Sequence, residues 1–412
     1  MTDASLSWNF ARTPGWIDPR ATFARASVGR GINRIGRLEA RPANAGRWRF
    51  NPVTGLSEGL LIESQRTNLL LRSEEFDNAS WTKTNLTVTA NSVVAPDGTT
   101  TADTLAATGA GGNVAQAVTI TAGRGVAFSV FGRAGTASFV ALKLSDGGNT
   151  VECWFNLATG ATASNTAGAG SLVYSAKDII AHGGGWHRCV VMVLTSAVTT
   201  ITATISPAAA DAAASANTDT IYAWGAHLEA PATSSNATSY IPTTSATVTR
   251  SPDYLTIPTD TRWYNASAGT VVWDGVMQTL SPVGNAEIVT LWNLSVDENN
   301  QIFVTRSGNA TLRATSLAAG VSTTLTQSAT LTTGARVRAA LAWAAGDLAF
   351  SVGGAAPTTS AVGALPTAAT HFALGNRAYS PVSSQGCFAA VSAVQYFPRR
   401  LSNADLQSLT SA

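Results

Sequence analysis

The sequence predicts an all-β protein: two tandem β-sandwiches of jelly-roll type, preceded by an irregular N-terminal arm and closed by one short helix. Three observations lead there. Charged residues make up only 12% of the 412 residues, about half the share usual in soluble globular chains. Ala, Gly, Thr and Ser fill the difference, and small or β-branched residues suit pleated sheets and tight turns better than long amphipathic helices. Short segments of period-two alternation recur between Gly- and Asn-rich turns. Finally, the length exceeds one ordinary domain of about 100–200 residues, so two cores and an extension are expected.

The elements follow in chain order. Residues 1–70 are rich in Arg, Pro and Asn and lack sustained alternation, so they read as an irregular docked arm. Residues 71–250 carry the first sandwich. In residues 125–132, Val126, Phe128 and Val130 share a face, and in residues 151–157 the set is Val151, Cys153, Phe155 and Leu157. Residues 186–194 place Trp186, Arg188, Val190, Met192 and Leu194 on one side, and residues 219–229 alternate Tyr222, Trp224, Ala226 and Leu228. Glycines at 147–148 and 183–185 permit the positive φ of tight turns between them. Residues 251–412 carry the second sandwich, with strands expected at 269–280, 286–293, 323–331, 335–344 and 387–397. In the fourth of these, Val337, Ala339, Leu341 and Trp343 oppose Arg336 and Arg338, the pattern of a half-exposed strand. Ser402-Asn403-Ala404-Asp405 has capping-box spacing and opens a helix to about residue 410.

Composition also narrows function. The formal net charge is +2 and the basic residues are scattered, with lysine only at Lys83, Lys143 and Lys177, so no nucleic-acid patch is expected. The first ten residues lack the basic start and apolar segment of a signal peptide, and no apolar run reaches the roughly 18–20 residues of a membrane helix. A soluble chain made in the cytoplasm is expected. Cys153, Cys189 and Cys387 are widely spaced and odd in number, which fits buried apolar residues and neither a disulfide framework nor a CxxC metal knuckle.

Three stretches carry a family resemblance. Phe23-Ala24-Arg25-Ala26-Ser27, Arg49-Phe50 with Pro52-Val53-Thr54-Gly55, Gly59-Leu60-Leu61-Ile62-Glu63 and Arg66-Thr67-Asn68-Leu69-Leu70 resemble the leader of bacteriophage tail-fibre and head-fibre proteins and gene-transfer-agent spikes. The middle region is similar to carbohydrate-binding-module-like jelly rolls, at Phe76 with Trp81, Pro96-Asp97-Gly98, Gly185-Trp186-His187-Arg188 and Trp224-Gly225-Ala226-His227-Leu228-Glu229, although the family often has Tyr where His187 stands. The last region resembles concanavalin A-like or laminin-G-like sandwiches at Gly269-Thr270-Val271-Val272-Trp273 and from Phe397 to Leu406. The resemblance implies a structural virion protein on the surface of a phage or phage-like particle. Head or tail position stays open.

Searches for chemistry point away from catalysis. His182-Gly183-Gly184-Gly185 imitates a lipase oxyanion loop, but no G-x-S-x-G nucleophile elbow accompanies it, so it reads as a glycine turn. Glycanases need two carboxylates held a short distance apart, and the adjacent Asp297 and Glu298 would point to opposite faces of a strand. The four histidines show no zinc spacing. A structural Ca²⁺, which modules resembling the middle region often hold, would draw on Asp97, Asp103 or Glu229. Sugar rings stack on aromatic faces while their hydroxyls bond Asn and Arg, which selects Trp154, Trp263, Tyr264, Asn376, Arg377 and Tyr379 as glycan-contact candidates. Trp81, Trp186, Trp224 and Trp343 are assigned to cores.

The expected function is therefore non-catalytic. The arm, through Arg25, Arg47, Arg49 and Arg66, docks on a particle protein or a sister subunit, or braces locally as with Glu63 and Arg66. The sandwiches contact host-surface polysaccharide, and fibres and spikes are usually symmetric, so a homo-oligomer is expected. A cell-associated glycan-binding protein outside any virion and a polysaccharide depolymerase are the alternatives.

Overall fold

The computed structural model describes residues 4–123, 125–230, 237–277, 288–307, 311–329, 331, 334–362, 364–366, 369–375 and 389–411. Four large antiparallel sheets pair into two sandwiches, and one short helix follows at the C-terminal end. The expected all-β class and the closing helix are both present.

In the middle sandwich a seven-stranded sheet centres on Gly125–Ala134, between His187–Thr195 and Thr220–Glu229. It faces a six-stranded sheet that includes Phe139–Ser145, Thr150–Asn156 and Thr200–Ala208. Period two decides the core: Val126, Phe128 and Val130 meet Val151, Cys153, Phe155 and Leu157 across the gap. The Trp186 set also alternates, but with the opposite parity inside. Cys189, Val191 and Val193 enter the core, while Arg188, Val190 and Met192 lie on the outer face. Both faces are buried, so apolar character could not tell which one looked inward.

The C-terminal sandwich stacks an eight-stranded sheet on a seven-stranded one. Ala268–Met277 lies between Arg336–Ala344 and Ala389–Phe397 in the first, and Ile288–Asp297 pairs with Asn300–Ser307 in the second. Val337, Ala339, Leu341 and Trp343 point into the core as their spacing predicts. Arg336 and Arg338 take the other face and both pair with Asp274, at 2.7 and 3.1 Å. The helix Asn403–Thr410 opens on the expected capping box, with the Asp405 amide donating to Ser402 Oγ at 3.1 Å. Its Leu406 seals a small apolar cluster with Val272, Ala340 and Phe397 on that outer face.

The arm is where structure and expectation part. Four segments of residues 6–62 are woven into the C-terminal sandwich, where Leu6–Trp8 pairs with Ala389–Phe397, Thr22–Ala24 with Tyr254–Pro258, and Ser57–Ile62 with both Ala389–Phe397 and Arg47–Phe50, while Gly29–Ile32 and Leu38–Arg41 pair only with each other. Leu6, Trp8, Phe10, Phe23, Leu60 and Ile62 belong to the core of that sandwich. These strands run only three to six residues, too short for alternation to stand out from irregular sequence.

Gly59 shows how tight the weave is. Its φ is +125°, and a Cβ there would fall inside contact distance of the Val391 carbonyl on the neighbouring strand. Backbone strain and overpacking of about 1–3 kcal/mol each add up. Gly59→Ala is expected to cost about 3 kcal/mol, read as a fall in the denaturation midpoint at unchanged slope.

Candidate binding cleft at the junction

A β-bulge creates the surface on which the site is built. Along the pair Gly125–Ala134 and Thr220–Glu229, Ser129 opposes His227 but Phe131 opposes Trp224, so one strand carries an extra residue. Gly225 absorbs it at φ +65°, a conformation open to glycine. Ala226 and Leu228 consequently enter the core, whereas Tyr222 and Trp224 turn to the outer face. The uniform alternation expected for Tyr222, Trp224, Ala226 and Leu228 breaks at that glycine. On the outer face, Trp224 joins Phe131, Trp186 and Tyr240, and Ile32 and Leu38 from the N-terminal segment cover them.

Beside this aromatic cluster lies a buried ionic one. Arg25 reaches Asp253 at 3.0 Å, Arg47 binds both Asp253 and Glu63, and Arg250 approaches Glu63 at 3.5 Å and Asp253 at 3.7 Å. Ser239 caps Glu63 through its amide at 2.8 Å and its hydroxyl at 2.6 Å. Backbone carbonyls take further guanidinium donors: those of Arg41 and Pro42 accept from Arg25, that of Arg30 from Arg47, and that of Ser64 from Arg250, while Nε of Arg47 and Nε of Arg250 are buried without a partner. Burial alone would raise the Glu63 pKa, but the Arg250 and Arg47 charges and the two Ser239 bonds outweigh it and hold the carboxyl far below its ordinary value. Residues from the N-terminal segment, from the stretch after it and from the connection near 250 thus share one charged knot between the sandwiches.

Next to the knot opens a cleft of about 330 Å³. One wall is the N-terminal segment, with Arg30, Arg49, Asn51 and Glu58; the other is the outer sheet face, with Asp178, His182 and Arg188; Ser239 and Tyr240 close the end. Arg30 is held over the Trp224 and Tyr240 rings at 5.7 and 5.5 Å and bonds Asp97 at 3.2 Å. Arg49 bonds Glu58 through Nε at 2.6 Å. Arg188 stacks on Phe131 at 5.5 Å and donates to Ser129, to the Thr238 carbonyl and toward His227. The 183–185 glycines form the expected turn, which docks on the turn ending at Gly36, where a side chain at Gly183 would meet the Ile35 carbonyl at 2.9 Å. The three-glycine motif is thus a packing device that carries His182 to the cleft.

The residues selected from sequence are distributed otherwise. Trp154 does lie on the outer face of its sheet, but the 209–214 turn covers it and its indole donates to the Ala213 carbonyl at 3.2 Å. Trp263 is buried, donates to the Pro258 carbonyl and packs edge-on against Tyr396, with Tyr264 half-buried alongside. Neither tryptophan offers a free ring face. Asn376, Arg377, Tyr379 and Cys387 lie outside the described residues. Of the docking arginines, Arg25, Arg47 and Arg66 are buried and the first two are internal braces; Arg49 is half-buried at the cleft.

For calcium, Asp97 accepts from Thr99 and Arg30, Asp103 from the Phe76 and Asn91 amides, and Glu229 from Thr238. No group of three His, Cys, Asp or Glu side chains is placed to hold a metal among the described residues. Trp81, Trp186, Trp224 and Trp343 are buried as assigned. The cleft residues Arg30, His182 and Tyr240 escaped sequence reading because they lie far apart in the chain; the Gly-rich run after His182 was the only local signal.

No protein-family model matches the chain, and no curated protein matches it in sequence. Among solved structures it is similar to the CBM40 of the Ruminococcus gnavus IT-sialidase bound to α2,3-sialyllactose, at 14% identity and TM-score 0.30 over 36% of this chain and 84% of that one. The NanB sialidase of Streptococcus pneumoniae is similar at 12% identity and TM-score 0.31, over 35% of this chain and 24% of that one. A heptameric SAP-like pentraxin from Limulus polyphemus is similar at 13% identity and TM-score 0.30, over 36% and 73%. At that level the three matches assign neither a ligand nor a role to this chain.

Proposed function

We propose that this chain is a non-catalytic contact protein of a phage-type particle, in which two rigidly joined sandwiches present the junctional cleft to a host-surface glycan. One observation carries the glycan reading: the cleft gathers guanidinium, amide, imidazole and hydroxyl groups from separate segments in a concave site, the donor and acceptor mixture a polyhydroxylated ligand requires. Particle membership rests on the resemblance of the first 70 residues to fibre and spike leaders.

The non-catalytic reading has its own support. Glu74 and Asp97 are two carboxylates with opposed shifts beside one arginine: burial raises the Glu74 pKa, whereas Asp97, despite burial, is lowered by Thr99 and Arg30. Arg30 approaches both, 3.9 Å from Glu74 and 3.2 Å from Asp97, so one guanidinium engages the two carboxylates together.

Incubated with host-envelope polysaccharide, the purified chain is expected to be retained by it and to release no new reducing ends. New reducing ends would overturn the non-catalytic reading, and absence of retention the glycan reading. Immunogold electron microscopy of particle fractions tests the location, and light scattering tests the expected homo-oligomer.

A further inference from the structure

His182 is the most unusual group facing the cleft. It is 8% exposed, it lines the cavity, and its Nδ1 is buried without a hydrogen-bond partner. The Gly36 carbonyl lies beside the ring and favours its proton, so with Nδ1 unpartnered the proton is assigned to Nε2 and the neutral ring holds a bare acceptor at Nδ1. Burial, followed by the Arg188 and Arg49 charges, pushes its pKa down to about 3, which keeps that acceptor available at neutral pH. A buried acceptor left unmade costs stability, and a ligand hydroxyl would satisfy it.

The charges nearest this acceptor are cationic. Arg188 spends its bonds on neutral partners, and Glu58 engages Arg49 through Nε. The acids that also line the cleft are committed elsewhere: Glu63 belongs to the Arg47–Arg250 knot, Glu58 pairs with Arg49, and Asp178 accepts from the Ile179 amide. A ligand that brings one hydroxyl and one negative charge would meet the bare Nδ1 and add to Glu58 at Arg49, which Glu58 engages through Nε.

We propose that the cleft seats an acidic sugar unit, with a ring hydroxyl donating to Nδ1 of His182 and the sugar carboxylate lying against the terminal nitrogens of Arg49. This rests on the glycan reading above and narrows it to a chemical class. Arg49 supplies charge-assisted recognition and His182 positions the ring.

Methyl β-glucuronide and methyl β-glucoside share a ring and differ in the carboxylate, so they separate the two readings. Each is titrated into the full chain, with binding followed by calorimetry and the imidazole nitrogens by NMR, the His182 signal being assigned by its loss in His182→Asn. The glucuronide is expected to move the Nδ1 resonance of His182 and to bind about tenfold or more tighter than the glucoside, and Arg49→Gln is expected to remove most of that difference. Equal binding of both sugars with the same His182 shift would overturn the acidic class and leave the glycan reading intact. Binding that leaves His182 unmoved would overturn the site. If neither monosaccharide nor host-envelope polysaccharide binds, both readings fall.

Discussion

Glu63→Gln is expected to destabilise the chain by about 3–5 kcal/mol at pH 7, the range for breaking a buried ion pair by removing one partner. The reason is geometric. Glu63 accepts from Ser239 twice, at 2.8 and 2.6 Å, and pairs with Arg47 at 2.8 Å, so every direction around its carboxylate holds a donor. An amide would point an N–H₂ group at one of them and leave three arginines facing Asp253 alone. The effect also has a pH signature. Because the folded-state pKa of Glu63 lies far below its ordinary 4.5, its stabilisation is present above that value and is lost as pH falls through and below it. The gap in melting temperature between the native chain and Glu63→Gln should therefore be full at pH 7 and narrow on the acid side of about 4.5, where the unfolded chain takes up a proton at Glu63 that the folded chain still refuses. A gap that stays constant down to pH 3 would show that packing, rather than charge, makes Glu63 irreplaceable.

Deletion of residues 1–62 is expected to yield an unfolded or insoluble product. It removes four strands of the C-terminal sandwich, three of them paired directly with later strands, and strips Leu6, Trp8, Phe10, Phe23, Leu60 and Ile62 from its core. Fully burying a large apolar side chain contributes about 1.5–3 kcal/mol, so six of them contribute on the order of 10 kcal/mol, comparable with the whole stability of an ordinary domain. Soluble expression and circular dichroism check this directly, and a folded truncation would show that the segment is a detachable arm. The result bears on the docking reading. Loss of particle incorporation on truncation would report unfolding first, so docking is better tested by point changes at exposed positions such as Trp16, Ile35 and Val53, which are 46%, 66% and 77% exposed.

Much of the fold was legible because period-two alternation is a local signal. The strand Gly125–Ala134, the strand Arg336–Ala344 with Arg336 and Arg338 outward, and the capped helix after Ser402 all follow from neighbours in the chain. The strand Leu172–Ala181 was not legible, since nearly all its residues are half-buried and no alternation survives. Trp154 illustrates a different limit: its alternation correctly predicted the outer face, yet only the chain path through 209–214 decides that the face is covered.

Taken alone, the sequence determined the all-β class, part of each sandwich core and the closing helix, because composition and spacing are properties of neighbouring residues. Tertiary structure decided that Leu6–Trp8, Thr22–Ala24, Arg47–Phe50 and Ser57–Ile62 are strands of the C-terminal sandwich, that Arg25 and Arg47 turn inward to Asp253, and that His182, Arg49 and Tyr240 share one cleft. The physical reason is separation along the chain. A buried charge or an unpaired imidazole acquires its meaning from partners that only the finished fold brings within hydrogen-bonding reach.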